Sequence, residues 1–360
     1  VGYVTACEQH PNADKLKLCQ VQTGDGSTHQ VVCGAPNART GMKGVFAPVG
    51  TYIPGLDMTL KAGKIRGEAS NGMLVSEHEM GLSEDHEGII DLPEDAPVGT
   101  PFAEIMGLDD PVIEIGLTPN RADCLGVRGV ARDLAAAGLG TLKPLPDLEP
   151  DHGSYPAPMA WRRDLPEGAD DACPYVAGRH FHGLTNGQSP AWMQRRLNAI
   201  GLRPISALVD ITNYVTFDLG RPLHVFDADK ITGSTLRLYR AKGGETLTGL
   251  DEKDYTFPAG ATVIADSQGP ESIAGVMGGL RTGCTDETVN VFVEAAYFDP
   301  IVTAHTGRAL KINSDARYRF ERGIDPDFTP EGLDHAVRMI VDHAGGEASE
   351  VVQAGEIPDM

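Results

Sequence analysis

Leu16-Lys17-Leu18-Cys19-Gln20-Val21 mixes apolar and polar side chains with the two-residue period of a half-buried strand. Outward from it, Gln30 to Cys33, Gly44 to Val49 and Met73 to Ser76 are further short strand-forming runs, with Gly and Pro between them. Short strands broken at regular intervals suit a small closed barrel, a common scaffold for binding RNA. Along the whole chain of 360 residues, 43 Gly and 25 Pro punctuate short apolar runs, which excludes an all-α architecture and predicts many strands and turns.

Beyond Pro111 the pattern changes. Val112 to Gly116 reads as a strand, Pro119-Asn120 as a turn and Leu125 to Ala137 as an Ala-rich helix. The Pro-rich stretch Lys143 to Pro158 reads as a linker and marks a domain boundary. A second body follows from Pro174 to Gly345, with a helix over Ala191 to Ile200 and strands over Thr262 to Ala265 and Val291 to Glu294. A hydrophobic content of 41% gives each of two or three domains enough apolar material for its own core. No internal repeat or low-complexity tract interrupts the chain.

The net charge of −21 argues against nucleic acid, because phosphate binding rests on Lys and Arg that displace counterions. The distribution argues back. Between Val1 and Val75 the basic residues Lys15, Lys17, Arg39, Lys43, Lys61, Lys64 and Arg66 outnumber the acidic Glu8, Asp14, Asp25, Asp57 and Glu68, and most acid of this region follows in Glu77 to Asp110. No apolar run approaches the roughly 20 residues of a membrane helix, and Val1-Gly-Tyr-Val-Thr5 is no signal sequence, so a cytoplasmic protein without membrane contact is expected. The start without Met suggests residues before Val1. Cys7, Cys19, Cys33, Cys124, Cys173 and Cys284 are scattered without a C-x-x-C pair, as small buried hydrophobes in a reducing compartment would be, and no metal site is expected.

Several stretches together carry a resemblance. His10-Pro-Asn-Ala-Asp-Lys-Leu-Lys-Leu-Cys19, Val31-Val-Cys-Gly-Ala-Pro-Asn37, Lys64-Ile-Arg-Gly67 and Ser70-Asn-Gly-Met-Leu74 resemble, in order, the tRNA-binding OB domain shared by several synthetases. Pro119-Asn-Arg-Ala-Asp-Cys-Leu-Gly126, Leu202-Arg-Pro-Ile-Ser206, Val209-Asp-Ile-Thr-Asn-Tyr214, Pro222-Leu-His-Val-Phe-Asp227, Ile273-Ala-Gly-Val-Met-Gly-Gly279 and Phe320-Glu-Arg-Gly-Ile-Asp325 resemble the bacterial phenylalanyl-tRNA synthetase beta subunit. The likeness covers essentially the whole chain, as the front part of that subunit. It implies a multidomain α+β protein: an OB-fold β-barrel over residues 1–111, part of a small α/β connecting domain and linker over 112–160, and a mixed α/β editing domain over 161–360.

The same resemblance implies a reaction and its residues. A pocket built for a phenyl ring rejects an isostere that adds a hydroxyl by only about a hundredfold, so tyrosine is sometimes charged and a second site must hydrolyse the wrong ester. Glu294 matches the family's acceptor for the tyrosine hydroxyl, a role suited to a carboxylate because a charge-assisted bond to a phenol is strong and phenylalanine offers none. Gly278 matches the glycine that leaves room for the substrate ring, and Ala316 lines the same pocket. Ser314 stands where the family has threonine. His224 matches the histidine near the ester, with Asn213 as its polar neighbour, and both are expected to orient water for substrate-assisted attack. Lys15, Lys17, Lys64 and Arg66 are the tRNA-binding candidates. No cofactor is implied for this chain, while ATP and Mg are implied for the complete enzyme through its alpha subunit. The implied partners are tRNA(Phe) and that alpha subunit, in a heterotetramer of two alpha and two beta.

Taken singly, these residues have plainer readings. A lone histidine beside Phe226 is ordinarily a satisfied core or surface residue. Glu294 alone reads as a buried carboxylate paired with an arginine from Arg317 to Arg322. Gly275 to Gly283 lacks the Gly-Lys-Ser/Thr ending of a phosphate loop, which removes a free-standing nucleotide enzyme from contention. His180-Phe-His182 places two imidazoles on one face of a strand without the spacing of a metal site. The alternative to an editing hydrolase is a scaffold that binds tRNA or a partner and carries a vestigial site.

Overall fold

The computed structural model describes residues 1–83, 85–109, 111–146, 148, 153–165 and 172–359. The chain divides into two compact units, Val1–Pro111 and Val112–Met360. Part of the Pro-rich stretch Lys143 to Pro158 lies outside the described residues.

In the first unit, the strands Asp91–Leu92, Lys43–Gly44, Gly2–Gln9, Lys17–Gln22 and Thr28–Cys33 form one antiparallel sheet in that order. Phe46–Pro48 pairs separately with Gly72–Leu74. Among the described residues these ladders leave an open sheet and do not close into a barrel. Closure by a ladder needs longer strands than these two- and three-residue pieces. The end of the sheet is instead tied by single bonds: the Val32 N–H donates to Ser70 Oγ at 3.1 Å, and the Asn71 N–H to the Gln30 carbonyl at 2.8 Å.

The period-2 strand forms as Lys17–Gln22, and its pleat turns Cys19 and Val21 into a core with Val4, Val31 and Leu74. Lys17 shares that inward face with Cys19 and Val21, while the leucines of the run lie on the other. The amphipathic stem of Lys17 is therefore carried inward, and its ammonium donates to the carbonyls of Pro36 at 2.9 Å and Ala38 at 2.6 Å.

The second unit stacks helices on one sheet and that sheet on another. The first sheet runs His224–Asp227, Val291–Tyr297, Tyr175–His182 and then Glu347–Ala348, with Val352–Gly355 also pairing to Tyr175–His182. Alternate residues of one strand enter two different cores. Val291, Val293 and Ala295 pack with Leu208, Ile211 and Val215 of the helix Ala207–Leu219 and with Leu333, Val337 and Ile340 of the helix Phe328–Ala344. Phe292 and Ala296 point the other way, against Trp161, Leu236, Leu238 and Ile264 of the second sheet. Each buried Val, Leu, Ile or Phe among them contributes about 1.5–3 kcal/mol of apolar transfer free energy, which helps to fix the strand between its two neighbours. The second sheet has the order Ala160–Asp164, Thr235–Arg240, Thr262–Ala265, Pro270–Ile273, Met277–Gly278, with only its first pair parallel.

One expected element does not form. Val112 to Gly116 pairs with no strand among the described residues and leaves Ile113 77% exposed. Its β-branched residues favour an extended backbone, but among the described residues no ladder forms on it. The Ala-rich helix forms over Val127–Ala136, preceded by a 3-10 turn at Ala122–Cys124. Among the described residues no helix is long and apolar enough to cross a membrane.

Candidate active site

Antiparallel pairing sets His224 directly opposite Glu294, just as it sets Phe226 opposite Phe292. Opposed residues share a face of the sheet, so both side chains project toward the second sheet, with the phenylalanine core. On its other side Glu294 faces Gly178, where a β-carbon would lie 2.4 Å from the Phe292 ring. The carboxylate thus has a histidine on one flank and no side chain on the other.

Gly278 closes the group from the second sheet. A β-carbon added there would stand 2.3 Å from His224 Cε1 and 2.9 Å from Nε2, so the space that glycine leaves is filled by the imidazole itself. His224 also meets the Phe226 ring edge-on, with centroids 4.2 Å apart. Its Nε2 is buried without a hydrogen-bond partner. Burial pushes the imidazole down to about 4, so the ring is neutral at neutral pH and offers an acceptor or a donor according to tautomer.

Glu294 is 5% exposed and has neither hydrogen bond nor ion pair among the described residues. Burial pushes its carboxyl up to about 7, against the pull of Arg221. The arginine that acts on it is therefore not one of Arg317 to Arg322. Arg317 is engaged by Glu321 and the Ile312 carbonyl, Arg319 by the Leu125 carbonyl and Asp315, and Arg322 by Glu321 and the Tyr318 carbonyl.

Ser314 and Ala316 stand at the start of the helix Asp315–Phe320. Ser314 is its N-cap: Oγ accepts from the Arg317 N–H at 3.1 Å and donates to the Val276 carbonyl at 2.6 Å, tying the helix to the loop that leads into Gly278. Replacing Ser314 with alanine should lower stability by about 1–2 kcal/mol, while threonine, which keeps the hydroxyl, should restore most of it in a thermal melt. Ala316 packs half-buried against the core of Phe226 and Phe292.

Asn213 is not brought to His224. It stands on the helix Ala207–Leu219, which packs on the opposite face of the sheet through Leu208, Ile211 and Val215, and no hydrogen bond joins it to His224 or Glu294. His180 and His182 lie on one strand face as the sequence suggests, with Tyr155 against both; its hydroxyl meets His180 Nδ1 at 2.8 Å.

In the first unit Lys15, Lys64 and Arg66 are exposed. Arg66 and Gly67 take positive φ of 52° and 99° in the two-residue turn between the strands Gly63–Ile65 and Glu68–Ser70. His10 Nε2 meets the Ile65 carbonyl at 3.1 Å and Asn12 Nδ2 donates to the Arg66 carbonyl at 3.3 Å, which holds the loop before Lys15 to this hairpin. Lys17 stays with its two carbonyls and is not part of that surface.

Residues 1–101 match the family described as a putative tRNA binding domain, and residues 172–345 match the B3/4 domain family. Over 99% of its length the chain is 59% identical to the phenylalanine-tRNA ligase beta subunit of Cereibacter sphaeroides, and over 100% it is 56% identical to that of Ruegeria pomeroyi. The chain belongs to the phenylalanine-tRNA ligase beta subunit family. It corresponds to the N-terminal part, spanning 45% of the length of each of those two beta subunits. His224, Gly278, Glu294, Ser314 and Ala316 all fall within the stretch that matches the B3/4 domain, and Lys15, Lys64 and Arg66 within the tRNA binding domain.

Sequence reading missed Arg221. It is 1% exposed and lies three residues before His224, just outside the Pro222 to Asp227 stretch that marks this beta subunit family. The available signal was an arginine in Gly220-Arg221-Pro222-Leu223, a context otherwise suited to the interior.

Proposed function

We propose that the second unit hydrolyses tyrosine wrongly esterified to tRNA(Phe), and that the first unit holds the tRNA. The observation that carries this reading is Glu294: a buried carboxylate without a hydrogen-bond partner, opposite a neutral imidazole. An incoming phenol hydroxyl donates to that carboxylate, and phenylalanine would leave it desolvated and unpaired. His224, neutral and with an unused nitrogen, orients a water toward the ester carbonyl. The vicinal hydroxyl and amino group of the substrate assist the attack, and no protein nucleophile is required. Gly278 keeps the imidazole in place, and Ser314 and Ala316 form the wall beside it.

The test is hydrolysis of tyrosyl-tRNA(Phe) against phenylalanyl-tRNA(Phe) by the assembled synthetase. Fast loss of the tyrosyl ester alone is the expected result. Equal, slow decay of both would leave a tRNA-binding scaffold as the better account.

For the first unit the finer reading is an OB-type barrel, supported by the order of its motifs and by the bonds from Val32 and Gln30 to the segment Ser70–Asn71. Lys15, Lys64 and Arg66 form its phosphate-facing surface. Alanine at Lys64 or Arg66 should weaken tRNA binding and reduce the dependence of log K on log salt by up to about one. Alanine at Lys17 should leave that slope unchanged and lower the melting temperature, because it strips two carbonyls of their donor. The remaining beta-subunit sequence and an alpha subunit complete a cytoplasmic α2β2 ligase, in which alpha activates phenylalanine with ATP and Mg.

A further inference from the structure

Arg221 is a buried charge in the second unit that the proposed reaction leaves unused. Its side chain is almost wholly buried, and a glycine makes room for its stem: a β-carbon at Gly332, on the helix Phe328–Ala344, would lie 2.7 Å from Arg221 Cγ. Its Nη2 donates to the Ala296 carbonyl, two residues beyond Glu294 on the same strand. Nε and Nη1 are buried with no hydrogen-bond partner, and the guanidinium makes no ion pair among the described residues. Burying an arginine with two idle nitrogens is costly, and an ordinary structural salt bridge would engage them.

The groups that face this guanidinium define its effect. Glu294 is the foremost charge acting on it, followed by Asp325, with the Cys173 thiol and the Tyr175 hydroxyl behind them. Glu294 in turn has Arg221, among the described residues, as the charge that opposes the effect of its burial. The two stand too far apart for a direct bond, so the carboxylate keeps its lone pairs free while low-dielectric surroundings carry the attraction between them. A contact salt bridge would have occupied the oxygens that read the substrate.

We propose that Arg221 is a positioning residue of the editing pocket, which favours the ionised form of Glu294 without covering the oxygens that accept the tyrosine hydroxyl. This rests on the editing function proposed above. Without Arg221 the carboxyl takes up a proton, becomes a donor as well as an acceptor, and reads the phenol less well.

The experiment is the rate of tyrosyl-tRNA(Phe) hydrolysis against pH, from 5.5 to 8.5, by the assembled synthetase carrying the native beta subunit, Arg221→Gln or Arg221→Lys. Uncatalysed ester decay is subtracted at each pH. The Gln variant should lose about fivefold in rate near pH 7 and recover most of it by pH 8.5, an upward shift of the midpoint by about one unit. The Lys variant keeps the charge and should stay near the native profile. Melting curves by circular dichroism establish folding. Should the Gln variant not fold, infrared titration of the Glu294 carboxyl decides, in the native protein and an Arg221→Met variant with a Glu294→Gln difference spectrum: a midpoint raised in the Met variant supports the coupling, and an identical one overturns it. Superimposable rate profiles in native and Gln enzymes that both edit overturn the role of Arg221 and leave editing intact. A native enzyme that does not hydrolyse the tyrosyl ester overturns editing itself, and the role of Arg221 with it.

Discussion

Alanine at Gly278 is expected to reduce tyrosyl-ester hydrolysis by about a hundredfold or more while leaving the chain folded. The β-carbon would sit 2.3 Å from His224 Cε1 and 3.0 Å from Leu250 Cδ1. The backbone cannot retreat: the Leu250 N–H donates to the Gly278 carbonyl at 3.0 Å, the Gly279 N–H donates to the Glu271 carbonyl at 2.7 Å, and Ser272 pairs opposite. The imidazole must give way instead, and a displacement of about 1 Å in an orienting group can cost about two orders of magnitude in rate. His224 is only half-buried, so rotation toward solvent relieves the clash and the melting temperature should fall by only a few degrees. Single-turnover deacylation beside a thermal melt checks both halves. Full activity in a folded Gly278→Ala protein would mean that His224 has no fixed place in the reaction.

Glu294→Ala should abolish the preference for tyrosine over phenylalanine, again by about a hundredfold, since a hydrogen bond to a charged group contributes about 1.5–3 kcal/mol. The decisive feature is the ratio of the two rates, because a merely loosened fold would slow both esters. The same residue makes a prediction for stability. Its native carboxyl titrates near 7, above the ordinary value of 4.5, so the folded state holds this proton more tightly than the unfolded chain does. Its contribution is therefore fully present below pH 4.5 and is lost as pH rises through 7, amounting to about 3 kcal/mol. Glu294→Gln, which keeps the shape, should flatten this part of the stability profile and melt higher than the native protein at pH 8. Denaturant titrations at pH 5 and pH 8 measure it; an unchanged difference between the two would mean that Glu294 is solvated in the folded chain.

How much of this was legible depended on whether neighbours in space were also neighbours in sequence. His224 and Gly278 lie within short family motifs and Glu294 at the end of an expected strand, and the structure places them together. The strand expected over Val291 to Glu294 forms and extends to Tyr297, buried along its whole length. Arg221 escaped notice because its importance comes from Ala296 and Glu294, more than seventy positions along the chain, which no local pattern encodes. Asn213 misled for the converse reason. It lies near His224 in sequence, but the sheet stands between the helix that carries it and the face that His224 occupies. In the first unit the strand period was readable, but not its phase. The core takes Cys19 and Val21, and Lys17 goes in with them, while Leu16 and Leu18 lie on the other face.

The strand Val291–Tyr297 sends alternate residues to two separate cores, and this has a bearing on accuracy during folding. A slip of one position against Tyr175–His182 would turn the phenylalanine face toward the helices and carry the Glu294 charge beneath them, far from any opposing group. Such a chain would be too unstable to persist. Misplacing the reader of the amino acid is thereby made equivalent to misfolding, so the supply of correctly aligned pockets is policed before any substrate arrives.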